Sequence, residues 1–379
     1  MNKPVYLDYN ATTPVAAEVL EAMLPYLAEH FGNPSSSHPY GRKAAEAVHA
    51  AREAVAGLLG AAADEIFFTG SATEANNLAL LGVARALAGK KRHLVVSAVE
   101  HPAVIEPGLH LKSEGWDLSV IPVDAYGRVD PADVAAALRP DTALVSIMHA
   151  NNEVGTIQPV AEIAAITKAR GILLHTDAAQ SAGKIALNVD ALGVDFLSLV
   201  GHKFYAPKGV GALYVRTGAP IKPIQFGAGQ EHGLRPATEN VPQMVGLGAA
   251  ATLARKRLPA ATEKLRSLRD ALHERLRAGV PGLMLNGHPS ERLPNTLNVS
   301  FPGIAGRELL SRVAERVAAS VGSACHSEAD TVSGVLAAMG FDAGRALGAV
   351  RLSVGWMTTP EEIEAAAAAL SEGAKGTGV

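Results

Sequence analysis

Through the first 250 residues, short apolar runs alternate with helix-forming runs, and this rhythm narrows the fold at once. The strand-like runs are IFFTG (66–70), HLVVSA (93–98), LSVIPV (118–123), ALVSIM (143–148), ILLHTD (172–177), VDFLSLV (194–200) and GALYV (211–215). They are brief, apolar and mostly non-alternating, as strands buried on both faces are. Helical runs lie between several of them, at 73–89, 131–139 and 160–171. Asp130 before Pro131 reads as an N-cap followed by a proline in the first turn, and Gly171 as a C-terminal stop. Strand–helix–strand order predicts a mainly parallel sheet covered by helices. The runs at 194–200 and 211–215 have only a loop between them, so they are free to pair antiparallel.

Past residue 250 the pattern changes: a charged helix over 253–279 with a bend at Pro259, a strand at 296–301, a helix at 306–315, a strand at 349–354 and a helix from 360. The fold class is therefore α/β, a large domain with a seven-stranded sheet plus a smaller α+β domain. A length of 379 residues exceeds what one core usually supports. The expected division is 14–252 for the large domain, and 1–13 with 253–379 for the small one. A formal net charge of −3 gives no electrostatic support for nucleic-acid binding. No stretch approaches the roughly 20 apolar residues of a membrane span, and the N-terminus has no signal-peptide run. A single cysteine, Cys325, cannot close an internal disulfide, so the expected location is the cytoplasm.

Ligands of open α/β sheets sit at the carboxyl ends of strands, and four features fall there. In TGSATEANN (69–77) a strand gives way to a helix through small residues, a geometry that lets backbone N–H groups meet an anion. The same residues also read as ordinary caps, with Ser71 or Thr73 at the N-cap. Asp177 in HTDAAQ (175–180) ends an apolar strand, where a carboxylate needs a partner or a capping role. Lys203 in GHKFYAPKGVG (201–211) follows another strand, where partial desolvation makes an amine nucleophilic; a solvated lysine is the plain alternative. His101 in VEHPAV (99–104) opens a helix, as a reactive or a structural histidine. Taken together, a phosphate cradle, an acid, an amine and an imidazole meet the needs of pyridoxal phosphate. The lysine forms its Schiff base, the aspartate pairs with the ring nitrogen, and the histidine stacks on the ring and moves protons.

These motifs, with YLDYNATTP (6–14), GNPSS (32–36), HANNEVG (149–155), HKFYAPKGVGALYV (202–215), GSACHS (322–327) and RLSVGWMTTPEEI (351–363), span nearly the whole chain. In this the sequence resembles the cysteine desulfurases and selenocysteine lyases, in the class V branch of the fold-type I pyridoxal phosphate enzymes. The resemblance implies that Lys203 carries the cofactor, Asp177 pairs with its pyridine nitrogen, Gln180 donates to its phenolic oxygen and His101 stacks on it. It also implies that Ala72, Thr73 and His202 bind the phosphate. Thr238 would reach the phosphate site of a second subunit, hence a homodimer. Asn33, Asn152 and Arg351 would hold the substrate, with the Arg351 guanidinium clamping its α-carboxylate.

The implied reaction converts L-cysteine to alanine, with sulfur passing to the Cys325 thiolate as a persulfide for a sulfur-acceptor protein in iron–sulfur or thiolation pathways. By composition alone a lone cysteine is more often a small buried hydrophobe, but Cys325 sits among Gly322, Ser323, Ala324, His326 and Ser327. The run from Cys325 to Val335 is about ten residues, long enough to reach an acceptor. Two departures stand out. Val200 occupies a place where desulfurases often carry a phosphate-binding serine. His326, VGHKFY (200–205) and LRPATEN (234–240) look closer to selenocysteine lyases, while Pro102 favours neither. A lyase acting on L-selenocysteine and an aminotransferase of the same fold are the alternatives.

Overall fold

The computed structural model describes residues 3–322 and 332–375. Cys325 and His326 lie outside the described residues.

A short strand β1 (Val5–Tyr6) precedes two helices, α1 (Ala17–Ala28) and α2 (Pro39–Leu59). The seven expected strands follow as β2 (Ile66–Thr69), β3 (His93–Ser97), β4 (Asp117–Ile121), β5 (Thr142–Ser146), β6 (Leu173–Asp177), β7 (Phe196–Val200) and β8 (Gly211–Val215). Helices α3 (Ala72–Ala86) and α4 (Pro102–Ser113) leave the ends of β2 and β3. The strands form one sheet in the order β2-β8-β7-β6-β5-β3-β4. Strand β8 runs antiparallel to both its neighbours, and the remaining pairs are parallel. The short β7–β8 connection, which holds only a single helical turn at Gly201–Lys203, accounts for this, because it cannot carry the chain back for a parallel crossover. Asp130 caps its helix by accepting the Ala132 N–H at 2.8 Å. Gly171, at φ +62°, follows the helix Val160–Ala169 in the left-handed turn that a β-carbon would strain.

A second sheet, β9 (Met284–Asn286), β10 (Thr296–Ser300) and β12 (Ala349–Ser353), is antiparallel in the order β12-β10-β9. Strand β11 (Val317–Ala318) pairs in parallel with β1. The long charged helix begins earlier than its sequence suggests and runs from Val241 to Gly279 without interruption, with Pro259 inside it. Its first half, Val241 to Ala254, packs into the apolar core that also holds Tyr9, Phe68 and Leu197. Its second half, Leu265 to Leu276, packs with Leu7, Leu297, Val350 and Leu370 in a separate core. The expected boundary between residues 252 and 253 thus falls within one helix. The chain passes between the two cores there and again between Leu7 and Tyr9.

Candidate active site

One cavity of about 440 Å³ lies at the carboxyl ends of β2, β3, β6 and β7. Ala72, Thr73, His101, Asn152, Asp177, Gln180, His202, Lys203 and Arg351 all line it, so most of the residues singled out from the sequence converge on one space.

The anion side is built at the start of α3. Ser71 caps that helix, its Oγ accepting the Glu74 N–H at 3.1 Å, while its carbonyl takes the Ala75 N–H. The Gly70 N–H donates to Glu74 Oε2 at 2.7 Å. The N–H groups of Ala72 and Thr73, first-turn donors with no intrahelical acceptor, are then the ones available to a phosphate. Both readings of this segment hold at once: it is a capped helix and an anion cradle. Gly211 on β8 lets the cradle lie close against the sheet, since a β-carbon there would lie 2.7 Å from the Leu199 carbonyl oxygen and 3.0 Å from the Ser71 carbonyl carbon. His202 lines the same side, with Nδ1 at 3.2 Å from Thr12 Oγ1. Burial, helped by the cations of Lys203, Lys208 and Lys184, pushes its pKa down to about 4, so the ring is neutral near pH 7. Val200 lines the cavity as an apolar side chain.

Asp177 is buried at the end of β6. Its Oδ2 accepts the Asn76 amide at 2.7 Å and its Oδ1 the Ala179 N–H at 2.8 Å. Both donors are neutral, and a carboxylate has about four acceptor positions, so capacity remains for a cationic N–H within the cavity. Asn76 escaped the sequence reading, although an asparagine on the buried face of an apolar helix signals a polar partner. His101 caps α4: its Nδ1 accepts the Ala103 N–H at 3.0 Å. In the neutral ring the proton therefore sits on Nε2. Burial lowers the His101 pKa; Asp177 opposes this and Lys203 adds to it.

Lys203 follows β7 in a single helical turn and donates through Nζ to the carbonyls of Asn10 (2.7 Å) and Ala11 (2.8 Å). Two residues on, Tyr205 has φ +70°, a costly conformation for a bulky residue. It is fixed from three sides: its N–H donates to Thr13 Oγ1 at 2.7 Å, its hydroxyl accepts the Trp356 N–H at 2.8 Å, and its ring stacks on Trp356. Sequence reasoning passed over Asn10, yet its carbonyl also accepts Gln180 Nε2 at 3.0 Å.

Arg351 enters from β12. Its Nη2 donates to Asp8 at 2.8 Å and its Nη1 to the Asn152 carbonyl at 3.2 Å. Its Nε, buried, has no hydrogen-bond partner among the described residues. Arg351 itself lines the cavity, and a guanidinium there suits a carboxylate brought by a ligand. Asn33 and Thr238 stand apart: both are exposed, neither lines the cavity, and Asn33 Oδ1 accepts the Ser35 N–H of its own turn at 2.9 Å. Open first-turn N–H groups, the Lys203 amine and a carboxylate with spare acceptor capacity, all lining one cavity, fit pyridoxal phosphate in charge and in donor type.

Comparison with known proteins agrees. Residues 5–366 match the aminotransferase class-V family. The chain is 48% identical over 364 residues to the cysteine desulfurase IscS of Dictyoglomus turgidum, covering 96% of this chain and 92% of that one. Among solved structures it superposes on a NifS-like protein with TM-score 0.92 at 40% identity, covering 97% of this chain and 98% of the other. It also superposes on SspA, solved in complex with cysteine, with TM-score 0.83 at 38% identity, covering 94% and 100%.

Proposed function

The chain belongs to the class-V aminotransferase family and, within it, to the pyridoxal phosphate-dependent cysteine desulfurases, and from that membership we propose how its residues divide the work on L-cysteine. The observation that carries the proposal is the convergence of Lys203, Asp177 and His101 on one cavity that Arg351 also lines. Bound pyridoxal phosphate supplies an electron sink for bond breaking next to the substrate's α-carbon. Asp177 keeps a negative charge beside the ring nitrogen, and Ala72, Thr73 and His202 hold the phosphate. Arg351 clamps the α-carboxylate, with Asn152, which lines the same cavity, as a further substrate contact. Lys203 carries the α-proton on Nζ, and His101 offers a proton from Nε2. The Cys325 thiolate attacks the substrate sulfur: an S–S bond forms, the substrate C–S bond breaks, and alanine leaves. The acceptor of that sulfur is a second protein.

The active unit is proposed to be a homodimer. Leu20, Leu24 and Leu27 form an exposed stripe on α1, continued by Phe31 and Tyr40, an apolar surface suited to a second copy. Thr238 of that copy would supply the hydroxyl that Val200 lacks. A cytoplasmic location is proposed with it; among the described residues no helix is long and apolar enough to cross a membrane.

The test is alanine release from L-cysteine and from L-selenocysteine, by the wild type and by Cys325→Ala. Release from L-cysteine that needs Cys325 is expected. Full L-cysteine activity in Cys325→Ala would sink the persulfide route. Strong preference for L-selenocysteine would point to the lyase, whose better leaving atom asks less of the thiol. Keto acid in place of alanine would point to an aminotransferase.

A further inference from the structure

Lys184 is a buried lysine for which the chemistry above has no use. Its amine donates to Gln180 Oε1 at 2.8 Å and to Asn10 Oδ1 at 3.0 Å, both neutral acceptors. Burying an ammonium without a carboxylate is expensive. Burial indeed pushes the Lys184 pKa well below the usual lysine value, and the cations of Lys203 and Arg351 push the same way. A methionine would fill that depth at no such cost, so the position asks for the amine's donors.

The donors close a ring. Gln180 Nε2 donates to the Asn10 carbonyl, which also accepts Lys203 Nζ. Asn10 Oδ1 takes a second bond, from Asn295 Nδ2 at 2.9 Å, and Asn10 Nδ2 reaches Thr296 Oγ1 at 2.8 Å and the Asn152 carbonyl at 3.2 Å. The Asn10 amide is thereby saturated and cannot turn. Gln180 is held at both ends: an inverted amide would set Oε1 against the Asn10 carbonyl and Nε2 against the Lys184 amine. One N–H of Gln180 remains, and Gln180 lines the cavity.

We propose that Lys184 is a positioning residue, which fixes the Gln180 amide so that its free N–H, and not its oxygen, meets the phenolic oxygen of the bound cofactor. This rests on the reading of the cavity given above. Remove Lys184 and the amide is held at one point only, so the protonation equilibrium of the bound chromophore changes.

The experiment is a pH titration of the visible absorption band of the holoenzyme, near about 420 nm. It compares the wild type, Lys184→Met, Gln180→Ala and the double variant, with cofactor content and thermal melting recorded alongside. Lys184→Met is expected to move the midpoint in the same direction as Gln180→Ala, by at least about 0.5 pH unit, a threefold change in the equilibrium. The double variant is expected to move no further than Gln180→Ala alone. Lys184→Gln keeps an N–H donor and stays within about 0.2 pH unit of the wild type; it serves also if the methionine variant does not fold. A midpoint that Lys184→Met leaves in place while Gln180→Ala moves it overturns the inference. So do shifts that simply add, or a glutamine variant that behaves like methionine. A wild type with no such band overturns this inference together with the reading it rests on.

Discussion

Lys203, Asp177 and the α3 cradle leave the ends of strands in a seven-stranded sheet, whereas Arg351 sits in the middle of β12, in a three-stranded antiparallel one. The first wall is made of strand ends, with the N-terminal carbonyls of Asn10 and Ala11 meeting Lys203. Each group is placed by its own strand end, and its partners are backbone N–H and C=O groups or residues on adjoining elements. The second wall is made by assembly. Arg351 is oriented by Asp8 near the N-terminus and by Asn152 between β5 and β6. One wall can be disturbed one residue at a time, and the other depends on segments from three parts of the chain.

The largest effect is expected on the first wall. Lys203→Ala should lower kcat/KM for L-cysteine by about 10²–10⁴-fold, the usual weight of a positioned proton carrier. The melting temperature should hardly move, because the lysine's two acceptors are loop carbonyls rather than core contacts. A Lys203→Ala protein that unfolds early would make this wall a structural unit and erase the contrast.

On the second wall, Arg351→Lys keeps the charge and loses the fork. Loss of about 10- to 100-fold in kcat/KM is expected, one charge-assisted hydrogen bond's worth. It should fall chiefly on KM, since the carboxylate is held before and during reaction. A change confined to kcat would place Arg351 on the reacting atoms instead of the substrate's tail.

The pH dependence of stability sharpens the contrast further, because the titrating groups lie under the first wall. Burial pushes His149 down to about 4 and His175 to about 3, and pushes Glu100 up to about 8. The rings bind protons less readily folded than unfolded, so their contribution is whole above about pH 6.5 and is lost as the pH falls towards 4 and 3. Glu100 binds its proton more readily folded, so its contribution is lost as the pH rises from about 4.5 through 8. Each group weighs on the order of 1 kcal/mol per pH unit within its window. With His202 also pushed down to about 4, the rings outweigh the one carboxyl on the acid side, so stability should rise from about pH 4 to about 6.5. Denaturant titrations at several pH values check this; stability that falls across that span would contradict it.

The same division explains what was legible in the sequence. The seven strands showed as brief apolar runs, and their ends pointed to Lys203, Asp177, His101 and the cradle without a structure. Helices α1 and α2 went unread because no strand frames them. The long helix was shortened because its first half, from Val241 to Ala254, is apolar and carries none of the charge that marked the rest. Arg351 came only through resemblance, since an arginine within an apolar strand carries no local mark of its partners. Asn10 and Lys184 belong to a network whose members are up to 286 residues apart, and spacing cannot signal a contact of that range.

The smallest effect returns to the cradle and asks whether cap and anion site are separable. Ser71→Ala removes the acceptor of the Glu74 N–H but leaves the backbone of Ala72 and Thr73 in place. Loss of an N-cap costs about 1 kcal/mol. The Ser71 carbonyl still takes the Ala75 N–H, so the helix start survives. If the phosphate is held by backbone donors, cofactor affinity should fall no more than about fivefold, the equivalent of that same kilocalorie. A far larger loss in equilibrium dialysis would mean that the Ser71 hydroxyl, and not the helix start, holds the phosphate, and the first wall would then depend on a side chain at the point where it was taken to rest on backbone.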